Sequence, residues 1–398
     1  MNGSDRSGFY VRQSAGYSAF IPRALPPIPS LDLSQLAGSL SRADQALGRL
    51  DGATRNLPDV NLFLAMYVRQ EALLSSQIEG TDCTLDDLLA FELDARTSGV
   101  PELDVQEVVN YVAALNYGTA RLTDLPISRR LLCEIHVRLL QTGRGSDRSP
   151  GEFRRTQNWI GSRLAAGSSI DTAAFVPPPP NEMEAAFSEL ERYLDSSRDN
   201  AGALPLLVDC ALAHAQFETI HPYLDGNGRM GRLLITLLLC ERGVLTAPVL
   251  YLSTYLRRNR SKYFELLMEV RDHGTWEAWI NFFLRGIGET AAEAAQTAQK
   301  VHAMRETHRR ALEMNGGTLN DLAVLDRLFS QPLANAAWVE KSVGVSQPTA
   351  NAILSRFEAS GVLREVTGQR RNRVYRYDAY LTLFDQPVLE PSENETLS

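Results

Sequence analysis

The run His221-Pro222-Tyr223-Leu224-Asp225-Gly226-Asn227-Gly228-Arg229-Met230-Gly231-Arg232 gathers a titratable base, a carboxylate, two glycines flanking an amide, and two guanidiniums. The apolar stretch Leu233 to Leu239 follows at once, which predicts a loop opening into a helix N-terminus. Such a terminus presents unpaired N–H groups and a positive dipole end, and so binds anions. Gly226 and Gly228 let backbone N–H groups converge on a phosphate. Arg229 and Arg232 lie about one helical turn apart and reach the same side. Guanidinium forks match phosphate oxygens. Asp225 is a hard oxygen ligand of the kind Mg²⁺ takes beside a substrate phosphate. His221 exchanges a proton near neutrality without a large shift. The chemistry implied is phosphoryl or nucleotidyl transfer, with His221 as general base.

The run resembles the Fic family signature, in which a His-Pro-aromatic start leads through Asp/Glu-Gly-Asn-Gly-Arg to a second Arg. Tyr223 stands where the family usually has Phe, and its hydroxyl then needs a partner. The resemblance implies a mainly α fold: a Fic-type helical bundle with a small β-hairpin flap. It implies transfer of AMP from ATP to a Ser, Thr or Tyr hydroxyl of a target protein or of the chain itself, with release of pyrophosphate. His221 is then the catalytic base and Asp225 the Mg²⁺ ligand. Gly226, Asn227, Gly228, Arg229, Met230, Gly231 and Arg232 bind the ATP phosphates. Within that set, Asn227 and the Gly226 to Gly231 backbone stabilise anionic oxygens, and both arginines neutralise the β/γ-phosphates.

Far upstream, Asn61 to Ile78 has helical spacing and runs into Ser75-Ser76-Gln77-Ile78-Glu79-Gly80. Gly80 reads as the residue beyond a helix end. A carboxylate in that last turn opposes the dipole and calls for a cation. The segment resembles the Fic inhibitory motif, met by Ser75, Glu79 and Gly80, in which the glutamate pairs with the second signature arginine, here Arg232. That pairing would leave ATP in an unproductive pose. The same glutamate can also position water for the reverse reaction, removal of AMP.

Pro150 to Gly161 and Ala174-Phe175-Val176 surround turn formers with β-formers and read as a hairpin. It resembles the Fic flap, with Ile160, Gly161 and Val176 as the residues that align a target strand. The resemblance also marks Asn259, Tyr263 and Leu267 as candidates for the adenine side. His136 reads as a structural group, and His214 and Glu218 read as structural groups or as supporting partners of His221.

A length of 398 residues allows two or three domains. Residues 1–60 read as an extended arm with little fold of its own, then a helix ended by Pro58. Residues 61–100 form the inhibitory-helix region, with a helix from Asp82 to Gly99 capped by Thr84. Residues 101–290 form the Fic domain and 291–317 a helical connector, and Trp276 to about Leu312 reads as one helix or a helix pair. Residues 318–385 read as helix, helix-turn-helix and two strands, which resembles a winged helix. Arg356 on the second helix and Arg370, Arg371 and Arg373 in the wing are the DNA candidates, although such modules also dock proteins. Residues 386–398 are acidic and predicted disordered. A net charge of −8 argues against wholesale nucleic-acid binding but leaves room for one basic module. Cys83, Cys133, Cys210 and Cys240 form no CxxC pair and read as free thiols in a reducing cytoplasm. No signal peptide or bilayer-spanning run is visible, so no membrane partner is expected. A homodimer follows from the resemblance. Two further functions stay open: a DNA-binding regulator whose Fic domain only senses nucleotide, and a de-AMPylase.

Overall fold

The computed structural model describes residues 3–55, 60–94, 102–161, 169–199 and 204–384. The tail 386–398 lies outside the described residues.

The amino-terminal arm has more structure than its composition suggested. Strands β1 (Gly8–Arg12) and β2 (Ser18–Pro22) pair antiparallel, with Tyr10 opposite Phe20. Aromatic and β-branched residues fill both strands, and Gly16 supplies the positive φ of 98° in the turn. The hairpin is tied down rather than loose. Tyr10 donates to Asp272 at 2.7 Å, Arg6 pairs with Glu277 at 2.7 Å, and Phe20 N–H reaches the Val176 carbonyl at 2.9 Å.

Helices α1 (Leu33–Arg55) and α2 (Val60–Ile78) follow, then α3 (Leu85–Glu92). Thr84 closes a capping box with Asp87 at the start of α3. This helix is shorter than expected: Leu93 caps it and Asp94 turns to φ 57°. Helices α4 (Glu102–Arg121), α5 (Arg129–Leu139) and α6 (Pro180–Asp199) surround α7 (Leu206–Ile220) and α8 (Asn227–Glu241). Nearly every side chain of α7 and α8 is buried, as their apolar sequences require. Helices α9 (Ser253–Arg258) and α10 (Arg260–His273) complete the bundle.

Of the two arrangements open to the alanine-rich segment, one helix or a helix pair, the chain takes the first. The segment is one 39-residue helix, α11 (Trp276–Met314). Its Ala291, Ala294 and Ala298 are buried, and α11 runs along the buried stripe of α1, which carries Leu36, Ala43, Leu47 and Leu50. Small residues let the two axes approach.

Beyond it come α12 (Leu319–Leu328), β3 (Leu333–Ala334), α13 (Ala336–Val343), α14 (Gln347–Ala359), β4 (Arg364–Glu365), β5 (Tyr375–Arg376) and α15 (Asp378–Leu381). The three strands form an antiparallel sheet of order β3-β5-β4. The first strand was not anticipated, because two residues carry too little pattern to read. This module rests on α2 and α3. Arg69 donates to the Ser330 carbonyl at 2.9 Å, Gln70 to Phe384 at 2.9 Å, and Gln331 to Leu89 at 3.1 Å.

No helix among the described residues is long and apolar enough to cross a membrane. All four cysteines are free.

Gly118 sets how closely α4 approaches its neighbours. A Cβ there would sit 2.9 Å from Ile135 Cδ1 of α5 and 3.0 Å from Leu237 Cδ2 of α8. Gly118→Val should therefore lower stability by about 1–3 kcal/mol, read from the urea midpoint. A variant as stable as wild type would contradict this close approach.

Candidate active site

His221 caps the C-terminus of α7 in a left-handed conformation, φ 51° and ψ 62°. That conformation is uncommon for a side-chain-bearing residue and must be held by neighbours. Its N–H donates to the Phe217 carbonyl at 2.9 Å, and its own carbonyl accepts from Arg154 Nε at 2.9 Å. Arg154, itself buried, also donates to the Pro178 carbonyl and so ties the histidine loop to the chain beyond the flap. Burial lowers the imidazole pKa to about 3, aided by the Arg154 and Arg271 guanidiniums. The Glu218 carbonyl pulls weakly the other way, but Nδ1 closes no hydrogen bond of normal geometry. The ring is thus neutral across the physiological range.

The loop after His221 is braced from three sides. Tyr223 stacks on His136 at 3.8 Å, and its hydroxyl finds the Cys133 thiol at 3.9 Å. His136 accepts from Gly151 N–H at Nδ1, so its Nε2–H donates to the Asp225 carbonyl at 3.0 Å. Burial holds this second ring near pKa 4, neutral as the bonding requires. Asn227 exchanges two 2.8 Å bonds with the Tyr223 backbone.

That exchange corrects one expectation. The Asn227 side chain is buried and shapes the loop, so what it can offer an anion is its backbone N–H. Met230 and Gly231 are corrected likewise. Met230 N–H already donates to Gly226, the Met230 side chain is fully buried, and Gly231 lies inside α8 with its carbonyl bonded to His214 at 2.9 Å. The N–H groups with no helical acceptor are those of the first turn, from Asn227 to Arg229, beyond the left-handed N-cap Gly226.

Asp225 holds the Gly226 N–H at 2.6 Å through Oδ1 and keeps 37% of its side chain exposed. Arg229 stands 3.8 Å from that carboxylate and 3.7 Å from Glu107. Its Nε and Nη1 are buried without a hydrogen-bond partner. Buried donors left open in this way are available to an incoming anion.

Arg232 is held quite differently. Nε donates to Ser75 Oγ at 2.7 Å, and Nη2 to the Ser75 carbonyl at 2.9 Å and to Glu79 Oε1 at 2.7 Å. Its side chain is 1% exposed against 41% for Glu79. Gly228 makes room: a Cβ there would lie 2.2 Å from Glu79 Oε1. Gly80, φ 96°, turns the chain away beyond α2. Arg260 Nε donates to the Ile78 carbonyl at 3.0 Å, a cation at the negative end of α2.

Below this layer, Glu218 is buried beside Gly231, with Oε1 unpartnered. Burial pushes its pKa up to about 7. Two adenine-side candidates belong to the core instead. Tyr263 has no exposed surface and bonds His214 at 3.0 Å, and Leu267 is likewise buried. Asn259 is half-buried between α9 and α10 and donates to the Tyr255 carbonyl at 3.0 Å.

The flap is narrower than a hairpin with two strands. Among the described residues, Ile160 and Phe175 form one antiparallel bridge, and Gly161 follows at φ 62°. The Val176 carbonyl is taken by Phe20 of the amino-terminal hairpin. Residues 162–168 lie outside the described residues.

Arg356 is also reassigned. It donates to the buried Asp321 carboxylate through Nε at 3.2 Å and Nη2 at 2.6 Å and so ties α14 to α12, with 49% of its side chain still exposed. Arg370, Arg371 and Arg373 are exposed, Arg373 donating to the Gln369 carbonyl at 3.1 Å.

Sequence reading missed Arg154, Glu107 and Arg260. The first had a readable signal, a Phe-Arg pair just before the flap. The other two acquire roles only through contacts between distant segments.

The Fic/DOC family N-terminal profile matches residues 37–120, and the Fic/DOC family profile matches residues 126–239. A curated relative from Drosophila melanogaster, named protein adenylyltransferase Fic, is 28% identical over 264 residues. The match covers 65% of this chain and 48% of that protein, so the chain spans about half the length of the curated relatives it matches. Among solved structures, a Fic family protein from Desulfovibrio desulfuricans G20 aligns with a TM-score of 0.54 at 20% identity. That alignment covers 88% of this chain and 97% of the other. A Fic domain containing signaling protein from Bacteroides thetaiotaomicron VPI-5482 gives 0.54 at 20%, covering 66% and 97%. At that identity the likeness is one of fold.

The buried imidazoles give a pH signature. His136, His214 and His221 have pKa values lowered to about 4, 3 and 3, each chiefly by burial. An unfolded chain protonates these rings near pH 6.5 while the folded chain does not, so stability present above that value is lost as pH falls through it. Glu218 and Glu71, raised by burial, bind protons first in the fold and offset part of the loss. The urea-derived stability should fall from pH 7 to pH 5 by roughly 1 kcal/mol per unit, less steeply in His221→Gln. A stability that holds level or rises over that range would contradict neutral buried rings.

Proposed function

We propose, for a chain that belongs to the Fic/DOC family, that it transfers AMP from ATP to a Ser, Thr or Tyr hydroxyl of a protein and is restrained by its own Glu79. The observation that carries this reading is the juxtaposition of a neutral His221, an open helix N-terminus, and two arginines in different states of engagement.

In the forward reaction the hydroxyl oxygen attacks the α-phosphorus and the bond to pyrophosphate breaks. The proton goes to His221 Nε2, since Nδ1 is buried and faces the Glu218 carbonyl. A base already neutral at pH 7 needs no prior deprotonation. The N–H groups of Asn227, Gly228 and Arg229 receive charge developing on the phosphate oxygens. Arg229 meets the phosphates with its open donors. Asp225 fits a Mg²⁺ site, because an exposed single carboxylate beside a phosphate-binding helix end is the ligand set this ion takes when substrate and water supply the rest. Bound there, Mg²⁺ would neutralise phosphate charge.

Arg232 is the arginine Glu79 occupies. With its guanidinium turned to Ser75 and Glu79, the terminal phosphate loses the fork that would align the α-phosphate for attack. The carboxyl-terminal module, with its helix-turn-helix and three-strand order, we read as a winged helix.

The test incubates wild type, Glu79→Gly and His221→Ala with Mg²⁺, lysate and ATP labelled on the α-phosphate. Glu79→Gly should label protein roughly 10- to 100-fold more than wild type. His221→Ala should label nothing. Labelling unchanged by the loss of Glu79 removes the restraint from this reading; labelling that survives without His221 removes the base.

A further inference from the structure

The carboxyl-terminal module carries a cleft of about 1360 Å³ between α14, the β4–β5 hairpin and α3. One wall is the exposed face of α14, with Gln347, Asn351 and Ser355 at successive turns. No acid stands on that helix before Glu358. The facing hairpin holds five arginines and one glutamate between residues 364 and 376. Arg364 and Arg376 pair with Asp378, whereas exposed Arg370 and Arg371 have no acidic partner among the described residues.

We infer that this cleft seats duplex DNA, and that a seated duplex loosens the α2–α3 segment that holds Glu79 on Arg232. The occupant follows from the chemistry of the two walls. A polar helix face fits the major groove of B-form DNA, where amide side chains pair with base edges. Arginines on a neighbouring hairpin hold the phosphates that fix its register. The deep, narrow major groove of A-form RNA excludes such a helix.

The third wall is what links the two sites. Asp86 and Asp94, at either end of α3, line the same cleft. Arg376 Nε donates to Asp86 at 3.2 Å. A polyanion seated against the arginines meets these carboxylates at close range, and like charges must separate. The segment that has to give is short and continuous. Thr81 to Thr84 join α3 to Gly80 and Glu79, and Arg69 of α2 pairs with Glu92 of α3 at 2.8 Å. The module also grips α2 and α3 directly through Ser330, Gln331 and Phe384. Whatever shifts α3 against the hairpin therefore pulls on the helix whose last turn carries the restraining carboxylate. This linkage rests on the transfer reading above; the DNA contact does not.

The experiment separates the two. A fluorescein-labelled 20-base-pair duplex of mixed sequence is titrated with full-length protein at low salt and followed by anisotropy, and α-labelled ATP transfer is measured with and without the duplex. Wild type should bind with an affinity that falls steeply as salt rises, and the Arg370→Ala/Arg371→Ala double variant should bind about tenfold more weakly. Asp86→Asn should bind more tightly and label more without DNA. Saturating duplex should raise wild-type labelling about fivefold and leave Glu79→Gly unchanged. If the duplex does not bind, or an acidic peptide or duplex RNA binds as well, the cleft is not a DNA site. If the duplex binds and labelling does not rise, the linkage is overturned. If Glu79→Gly itself labels nothing, the fault lies with the transfer reading, and anisotropy still decides the DNA contact.

Discussion

A permanently charged guanidinium sits at the bottom of the bundle with almost no access to water. Arg232 cannot discharge by losing its proton, so its surroundings must compensate it. Three of its hydrogen bonds come from the last turn of one helix, through Ser75 and Glu79. That requirement fixes where α2 ends and why Gly228 has no side chain. It also explains why a carboxylate can stand at the negative end of a helix dipole, with Arg260 on the adjacent carbonyl. Moved away from Arg232, α2 would leave a buried charge uncompensated.

The imidazole of His221 is governed by the opposite logic. His221 stands among cations, Arg154 and Arg271, and away from water, and all three factors disfavour its protonated form. A cationic surround suits a site for polyphosphate, and the same surround keeps the imidazole neutral and able to accept a proton. Arg154 serves both ends: it holds the strained His221 backbone through the carbonyl and contributes the field that keeps the ring neutral.

How much of this was legible depends on where the information lay. The signature loop, the helix after it, and Thr84 as a cap were readable because each is local and its chemistry is written in neighbouring residues. The Glu79–Arg232 contact was readable because two motifs fixed it, although neither composition nor period would join positions so far apart. What failed was mostly about side-chain direction. Asn227 suits an oxyanion by type, yet it turns back to the Tyr223 backbone; Tyr263 suits a purine, yet its hydroxyl faces His214; Arg356 suits a phosphate, yet a buried Asp321 claims it. In each case a buried polar group inside the fold outcompeted a ligand that the residue type alone would accept. The arm was misread for a different reason. Its strands are held by partners on distant elements, α7, α10, α11 and the flap among them, and no local pattern announces those.

The two charged partners differ in their access to water. Glu79 is 41% exposed and Arg232 1%, so water reaches the carboxylate but not the guanidinium. Hydration compensates Glu79 if the pair parts. Water gives Arg232 no such compensation, and its Nη1 already lacks a hydrogen-bond partner. On the proposed reading, the terminal phosphate of the nucleotide is the group with the charge and the position to take that place. The carboxylate and the substrate then compete for one fork, and the contest is decided by how firmly the helix behind Glu79 is seated. The same helix also contacts α3 through Arg69 and Glu92, and the carboxyl-terminal module through Ser330 and Phe384. On that reading the restraint is graded, because a contact along α2 or α3 alters how the helix end is held without touching the nucleotide.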